Sequence, residues 1–496
     1  MRVAEGAALR PDHGWTRVDQ GEQRVRSGWP VWTVVVGAVA AVVFWVVHGA
    51  LIDDAYITLS YARNLAFHGH WGLIGGEVSN SATAPLNVLV LAAFTAVLRQ
   101  PVVALGAVFV LANIALALLL RAAARRSGLP GWVGPLGALL VAGNPLVLSS
   151  VGLEMTLAAA LLGLLLLASV QVRPVLFGVA AGLLALTRLD LAVFVLVVLV
   201  GRPALWRGWW RWLLSTAAIA LPWFTFSWFY FGSAVPDTLV IKQLQKSWGD
   251  WDFSNGLWLY HEVFPTAVVI SLIPPLLGLV ALPVVCALRP FRRAVRLWPW
   301  ALLGIGGVAH YYVYTLLGVP PYHWYYAPSM IGLSLLLAGV LGAIRRELSL
   351  LLGCALLVAQ AWFAAAQGTP WRESAITTNW ASAADYARVG TEVGRLVGTG
   401  TVTSPGEIGA LAYFCDCAVV DGFSDRGYLP DQLAQRLATA GPPVRALLEF
   451  NYRNFTPEAP RPVTHTLRRE PGPAGAWTIT STWAGEAHLV LETRER

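Results

Sequence analysis

Lysine is nearly missing from this chain. Of 35 basic residues only Lys242 and Lys246 are lysines, and they stand four residues apart. The arginines mostly flank apolar runs, where they act as topology signals. The net charge of +7 is therefore not read as a nucleic-acid surface. Charge of either sign is scarce: Asp, Glu, Lys and Arg make up 13% of the residues, about half the share in a soluble protein. Four cysteines in 496 residues exclude a disulfide framework. Cys286 and Cys354 lie in apolar runs, and Cys415 and Cys417 stand too close in sequence for an easy bridge. There is no internal repeat and no low-complexity tract.

What fills the chain is apolar: 56% of residues are hydrophobic and the mean hydropathy is +0.59. Uncharged runs of about 14 to 22 residues recur to about residue 366, a length that fits a bilayer core about 30 Å thick. Only helices or closed barrels satisfy their backbone in lipid, so the expectation is an all-α polytopic membrane protein. Five arginines in residues 1–29 put that tail in the cytoplasm. Alternation of the arginine loops then gives about eleven spans across residues 30–366, provided that 85–98 is a helix lying along or re-entering the outer face. The two short runs 174–187 and 189–201 need help from neighbouring helices.

From about residue 367 the apolar runs stop, and Gly, Pro and charged residues become common. "WASAADYARVGTEVGRLV" has helical spacing, while "TVTSPGEIGALAYF" and "CAVVDGF" read as short strands around a turn. Residues 367–496 are expected to form a small extracytoplasmic α/β domain.

The unusual polar clusters all fall on the outer side of this topology. They are Asp53-Asp54 after the first span, Glu154 in "VGLEMT", Arg188 and Asp190 in "LTRLDL", Asp237, Lys242 and Lys246 in "AVPDTLVIKQLQK", and His323 in "PPYHWYYAP". Ionisable groups at membrane depth are costly and suggest function by default. Each also has a plainer reading. The aspartates can be a solvated interface, and Glu154 can favour the first turn of a helix. Arg188 and Asp190 can be a structural pair. Tyr322, Tyr325 and Tyr326 can belong to an aromatic belt, and the lysines can snorkel.

The order of these pieces resembles the GT-C class of membrane glycosyltransferases. "DDAYITLSYARNLAFHGHWGL", "GGEVSNSATAPLNVLVLA", "GLEMTL", "LTRLDL" and "FYFGSAVPDTLVIK" together look like its arabinofuranosyltransferase branch in mycobacteria and other actinobacteria. The resemblance covers most of residues 50–245 and weakens beyond them. It departs where relatives often carry proline before the aspartate of "LTRLD", and where an aromatic or glycine is commoner in "SNSATAPLN".

The resemblance implies an enzyme of the plasma membrane. It would move a sugar, arabinofuranose by analogy, from a donor of the decaprenyl-phosphate type to a cell-envelope glycan, with inversion. Asp53 or Asp54 would be the base, with Asp53 favoured by analogy. Arg188, Lys242 and His323 would meet the donor phosphate, and Tyr322, Tyr325 and Tyr326 the sugar or prenyl chain. Glu154 and Asp190 would bind sugar or hold the cations, and Asp237 would belong to the donor site with the lysines of "AVPDTLVIKQLQK". No cofactor is fixed by the sequence; the available acids could hold a divalent cation, but arginine and lysine can neutralise the phosphate instead. A different lipid-linked sugar such as mannose, a transporter of lipid-linked sugar, and a non-catalytic envelope assembly protein are the alternatives.

Overall fold

The computed structural model describes residues 29–288, 296–472 and 476–494. All but the last residue of the tail read as cytoplasmic, 1–29, and of the arginine loop 289–296 lie outside them. The order of helices is α1 Trp29–Val47, α2 Asp53–His68, α3 Pro85–Leu98, α4 Pro101–Arg126, α5 Val133–Ala142, α6 Pro145–Leu148, α7 Met155–Gln171, α8 Pro174–Thr187, α9 Ala192–Gly201 and α10 Trp209–Tyr230. It continues with α11 Thr238–Leu244, α12 Gly256–Val263, α13 Pro265–Ala287, α14 Trp298–Leu317, α15 Ala327–Leu341 and α16 Arg346–Ala366. Among the described residues six helices are long and apolar enough to cross a membrane, and six more of 10–17 residues are apolar but shorter. The chain is a multi-pass membrane protein.

The apolar segments expected from sequence are helical, with one interruption. The stretch 131–149 breaks between α5 and α6, where Asn144 accepts from Leu146 N and Val147 N at 3.1 and 3.3 Å. That side chain caps a new helix and bonds through Nδ2 to Ser271 O at 2.8 Å. The stretch 85–98 is a separate helix, started by Pro85 and closed by Arg99 in the left-handed conformation.

The C-terminal part holds all five strands of the described residues: β1 Thr401–Thr403, β2 Ala418–Val420, β3 His465–Pro471, β4 Trp477–Ser481 and β5 Gly485–Thr493. They form one sheet in the order β2-β1-β3-β5-β4, parallel on the β2-β1-β3 side and antiparallel beyond. Four helices accompany it: α17 Ala383–Val397, α18 Gly409–Cys415, α19 Leu429–Thr439 and α20 Pro442–Asn451. α17 realises the helical spacing of its sequence, burying Tyr386, Val389 and Val393 on one face.

Two sequence readings need correction here. "EIGALAYF" is not strand: Gly409–Cys415 is helical, because its amides find a carboxylate from α2 rather than a sheet partner. Cys415 and Cys417 are bridged, with their Cα atoms 5.0 Å apart. Asp416 between them takes φ 53°, which folds the chain back on itself.

Candidate active site

A cavity of about 1420 Å³ lies where α2, α11, the 314–325 region and the C-terminal domain meet. It brings together nine of the residues singled out in the sequence: Asp53, Asp54, Glu154, Arg188, Asp190, Lys242, Lys246, Tyr322 and Tyr325.

The two adjacent aspartates begin α2 and divide their work. Asp53 is 6% exposed and its carboxylate is fully engaged. Oδ2 accepts from Ile408 N at 3.1 Å and Gly409 N at 2.8 Å, and Oδ1 accepts from Ala410 N at 2.8 Å. It thus caps the start of α18, where unsatisfied amides and the positive end of the helix favour an anion. The Asp53 amide in turn donates to Asn379 Oδ1 at 3.1 Å. The approach is so close that a Cβ on Gly409 would lie 2.0 Å from Asp53 O. Asp54, by contrast, has a carboxylate supported by its own backbone amide and hydrogen-bonded to no other described residue, and it lines the cavity.

Electrostatics separates the pair further. Burial pushes the Asp53 carboxyl up to about 6, against the three amides that hold its charge. Burial also raises Asp54, and Lys242 pulls it back down. Behind Asp53 lies Glu407, raised to about 8 by burial and by the Asp53 charge. Its carboxylate accepts from Asn379 Nδ2 at 3.0 Å, from Trp380 N at 3.0 Å and from the Tyr386 hydroxyl.

Lys242 comes from α11 and stands against aromatic rings. Its Nζ is 4.6 Å from the Tyr322 ring centre and 5.6 Å from those of Trp324 and Tyr325. Burial opposes its charge, but Tyr325, Tyr322 and Asp54 more than restore it, so the ammonium titrates above its ordinary range. An ammonium over ring faces keeps its charge with few hydrogen bonds, leaving donors for a ligand. Lys246 does not share its helix face, because α11 ends at Leu244 and the chain turns extended at Gln245.

Arg188 sits at the end of α8 and is already occupied. Nη1 donates to Glu154 Oε1 at 2.9 Å, and Nε and Nη2 form a fork on Asp190, each at 2.9 Å. Asp190 also accepts from the Tyr314 hydroxyl at 2.7 Å and lies 2.9 Å from His310 Nε2. One guanidinium against two carboxylates offers no net positive charge, so this cluster forms a charge-compensated wall of the cavity.

Asp237, His323 and Tyr326 stand outside the cavity lining. The Asp237 carboxylate is bound by Ser233 and Arg426. His323 is buried with Nε2 3.3 Å from Ser149 O. The Tyr326 hydroxyl donates to Phe253 O at 2.7 Å, and its ring stacks on Phe253.

The structure also adds residues that sequence reasoning passed over. Glu407 and Asp421 line the cavity from the C-terminal domain. Each is an acid beside a short strand and near a glycine, in "SPGEIG" and "VVDGF". His310 and Tyr314 occupy i and i+4 of α14, and a histidine inside an apolar run was the available signal. Among the described residues no group of three or more His, Cys, Asp or Glu is placed to hold a metal ion.

No family model and no curated protein matches the sequence. Solved structures do match the fold. ArnT from Cupriavidus metallidurans aligns with a TM-score of 0.57 in its apo state, at 14% identity over 93% of this chain and 98% of that one. Its structure bound to undecaprenyl phosphate aligns with a TM-score of 0.56. This chain shares the fold of these ArnT structures. The oligosaccharyltransferase AglB from Archaeoglobus fulgidus, in complex with an inhibitory peptide and a dolichol-phosphate, aligns with a TM-score of 0.52 at 12% identity, over 88% of this chain and 69% of that one. Arabinofuranosyltransferase AftD from Mycobacteria reaches a TM-score of 0.49, too low to bear on the sugar.

Proposed function

We propose that the chain is a membrane glycosyltransferase that moves a sugar from a polyprenyl-phosphate donor to a glycan hydroxyl. The observation that carries this reading is the Asp54 carboxylate, held by no other residue's hydrogen bond, lining the same cavity as the ring-bound ammonium of Lys242. A neighbour in fold was solved with undecaprenyl phosphate, and another with dolichol-phosphate, which supports a lipid-phosphate donor.

Asp54, rather than Asp53, is the proposed base. A base must come within hydrogen-bond reach of the proton that it takes, and the oxygens of Asp53 are turned to backbone amides. Asp54 would remove the proton from the acceptor hydroxyl as that oxygen attacks the anomeric carbon. The bond from that carbon to the phosphate oxygen breaks, and the phosphate leaves with the electron pair. Lys242 would balance the charge that grows on the phosphate, as fixed cations do for leaving groups. A single displacement of this kind inverts the anomeric centre. Glu154 and Asp190, held by Arg188, would face the sugar.

The proposed sugar is arabinofuranose, on the strength of the ordered motifs between residues 50 and 245. The proposed acceptor is a cell-envelope glycan on the outer face of the plasma membrane, with about eleven spans and the C-terminal domain on that same face, on the strength of the arginine pattern. The test is transfer by the purified protein in lipid nanodiscs, with polyprenyl-phosphate donors that carry arabinofuranose or mannose, onto envelope glycan fragments. Transfer from the arabinosyl donor alone supports the full reading. Transfer from the mannosyl donor alone corrects the sugar and keeps the class. Movement of donor across the bilayer without transfer would replace the enzyme by a transporter.

A further inference from the structure

The lysine proposed to meet the donor stands on a helix of two turns, and much of what holds that helix belongs to the C-terminal domain. Val240 and Lys242 are two residues apart on α11, so they point to nearly opposite sides. Lys242 faces the cavity. Val240 is buried in a separate apolar cluster with Leu429, Leu448 and Tyr452, from α19, α20 and the residue after α20. Next to them Arg436 Nε of α19 donates to Gln243 Oε1 at 2.9 Å.

The start of α11 is held more firmly still. Asp237 precedes its first residue, and its Oδ2 accepts from Arg426 Nε of the C-terminal domain at 3.0 Å. The two side chains are 4% and 12% exposed, so the pair is shielded from water. The Phe455 ring covers the guanidinium at 4.7 Å. On the other side the Asp237 amide donates to Asn80 O at 2.8 Å, which ties the same point to the loop between α2 and α3. Burial raises the Asp237 carboxyl and Arg426 opposes it, so without Arg426 it would be a buried charge supported by the hydroxyls of Ser233 and Tyr452 alone.

We propose that the C-terminal domain sets affinity for the lipid phosphate through α11, with the Asp237–Arg426 pair as the positioning contact that holds Lys242 against the cavity. Neither Asp237 nor Arg426 lines the cavity, so neither touches the ligand. The inference rests on the reading of Lys242 as the phosphate-binding lysine.

The test measures binding of undecaprenyl phosphate to the full-length protein in nanodiscs, with size-exclusion profile and melting temperature as folding controls. Lys242→Ala should weaken binding. If it does not, the reading of the donor site fails, independently of α11. Given that loss, Arg426→Gln should weaken binding about ten-fold, within the range seen for positioning residues away from a ligand. Asp237→Asn combined with Arg426→Gln removes both buried charges while keeping a hydrogen bond, and it should recover most of the affinity. A purely structural role would lower the melting temperature of Arg426→Gln with its affinity unchanged, and that result overturns the proposal. If Arg426→Gln does not fold, Arg426→Lys and the double variant carry the comparison: affinity equal to wild type in Arg426→Lys with a lowered melting temperature overturns it, and a graded loss supports it.

Discussion

Asp53→Asn tests the division of labour between the two aspartates without touching the proposed base. The wild-type carboxylate accepts three backbone amides, at 3.1, 2.8 and 2.8 Å, from a position that is 6% exposed. Asparagine keeps one acceptor oxygen and turns an NH2 group toward amides that themselves donate. At least one bond is lost and the rest lose their charge assistance. A hydrogen bond to a charged group contributes about 1.5–3 kcal/mol, so the docking of α18 on α2 should weaken by about 2–4 kcal/mol. At 1.4 kcal/mol per factor of ten, the undocked population grows between about thirty-fold and about a thousand-fold. The assay is hydrogen exchange of the segment that contains Ile408, Gly409 and Ala410, in wild type, Asp53→Asn and Asp54→Asn. Exchange there should accelerate by that factor in Asp53→Asn and stay as in wild type in Asp54→Asn. Unchanged protection in Asp53→Asn would refute the docking role.

Three further expectations can be checked with single variants. Glu407 is raised in the folded protein to about 8. A raised carboxyl stabilises the fold fully below its unfolded value and loses that contribution as pH climbs through the folded one. Melting temperature should therefore fall between pH about 5 and about 9, and Glu407→Gln should flatten that slope; an identical slope in the variant refutes it. Gly409→Ala would put a Cβ 2.0 Å from a backbone oxygen and 2.8 Å from its carbon, neither able to rotate away. It should cost about 1–3 kcal/mol and raise exchange at Ala410; wild-type stability would show that the contact can relax. A cysteine placed beside Arg125 should resist membrane-impermeant labelling from outside intact cells, and ready labelling would turn 85–98 into a crossing helix.

The apolar helices were legible because membrane spans are long runs whose length the bilayer sets. The break at Asn144 was less so, since only a cap and a proline interrupt an otherwise continuous run. Much of the cavity was legible for a related reason: Asp53, Asp54, Glu154, Arg188 and Lys242 are charged residues where charge is costly. Which aspartate turns inward was not legible, because the amides that capture Asp53 come from residues more than 350 positions away. Asp237 was singled out by the same cost of burial, but its partner Arg426 lies 189 positions on and draws it away from the cavity. Glu407 and Asp421 belong to a domain of short strands, where an acid in a turn is ordinary. Their importance arises only from the docking of that domain on α2.

Transfer by Asp54→Asn measures the central claim most directly. The substitution keeps the shape of the side chain and removes its capacity to take a proton, while Lys242 and the aromatic wall stay in place. Purified variant and wild type are compared for sugar transfer from a polyprenyl-phosphate donor, and for binding of undecaprenyl phosphate. The account predicts a loss of about 10²–10⁴-fold in kcat, with lipid-phosphate affinity kept within a few-fold. Turnover near the wild-type rate in Asp54→Asn would contradict it.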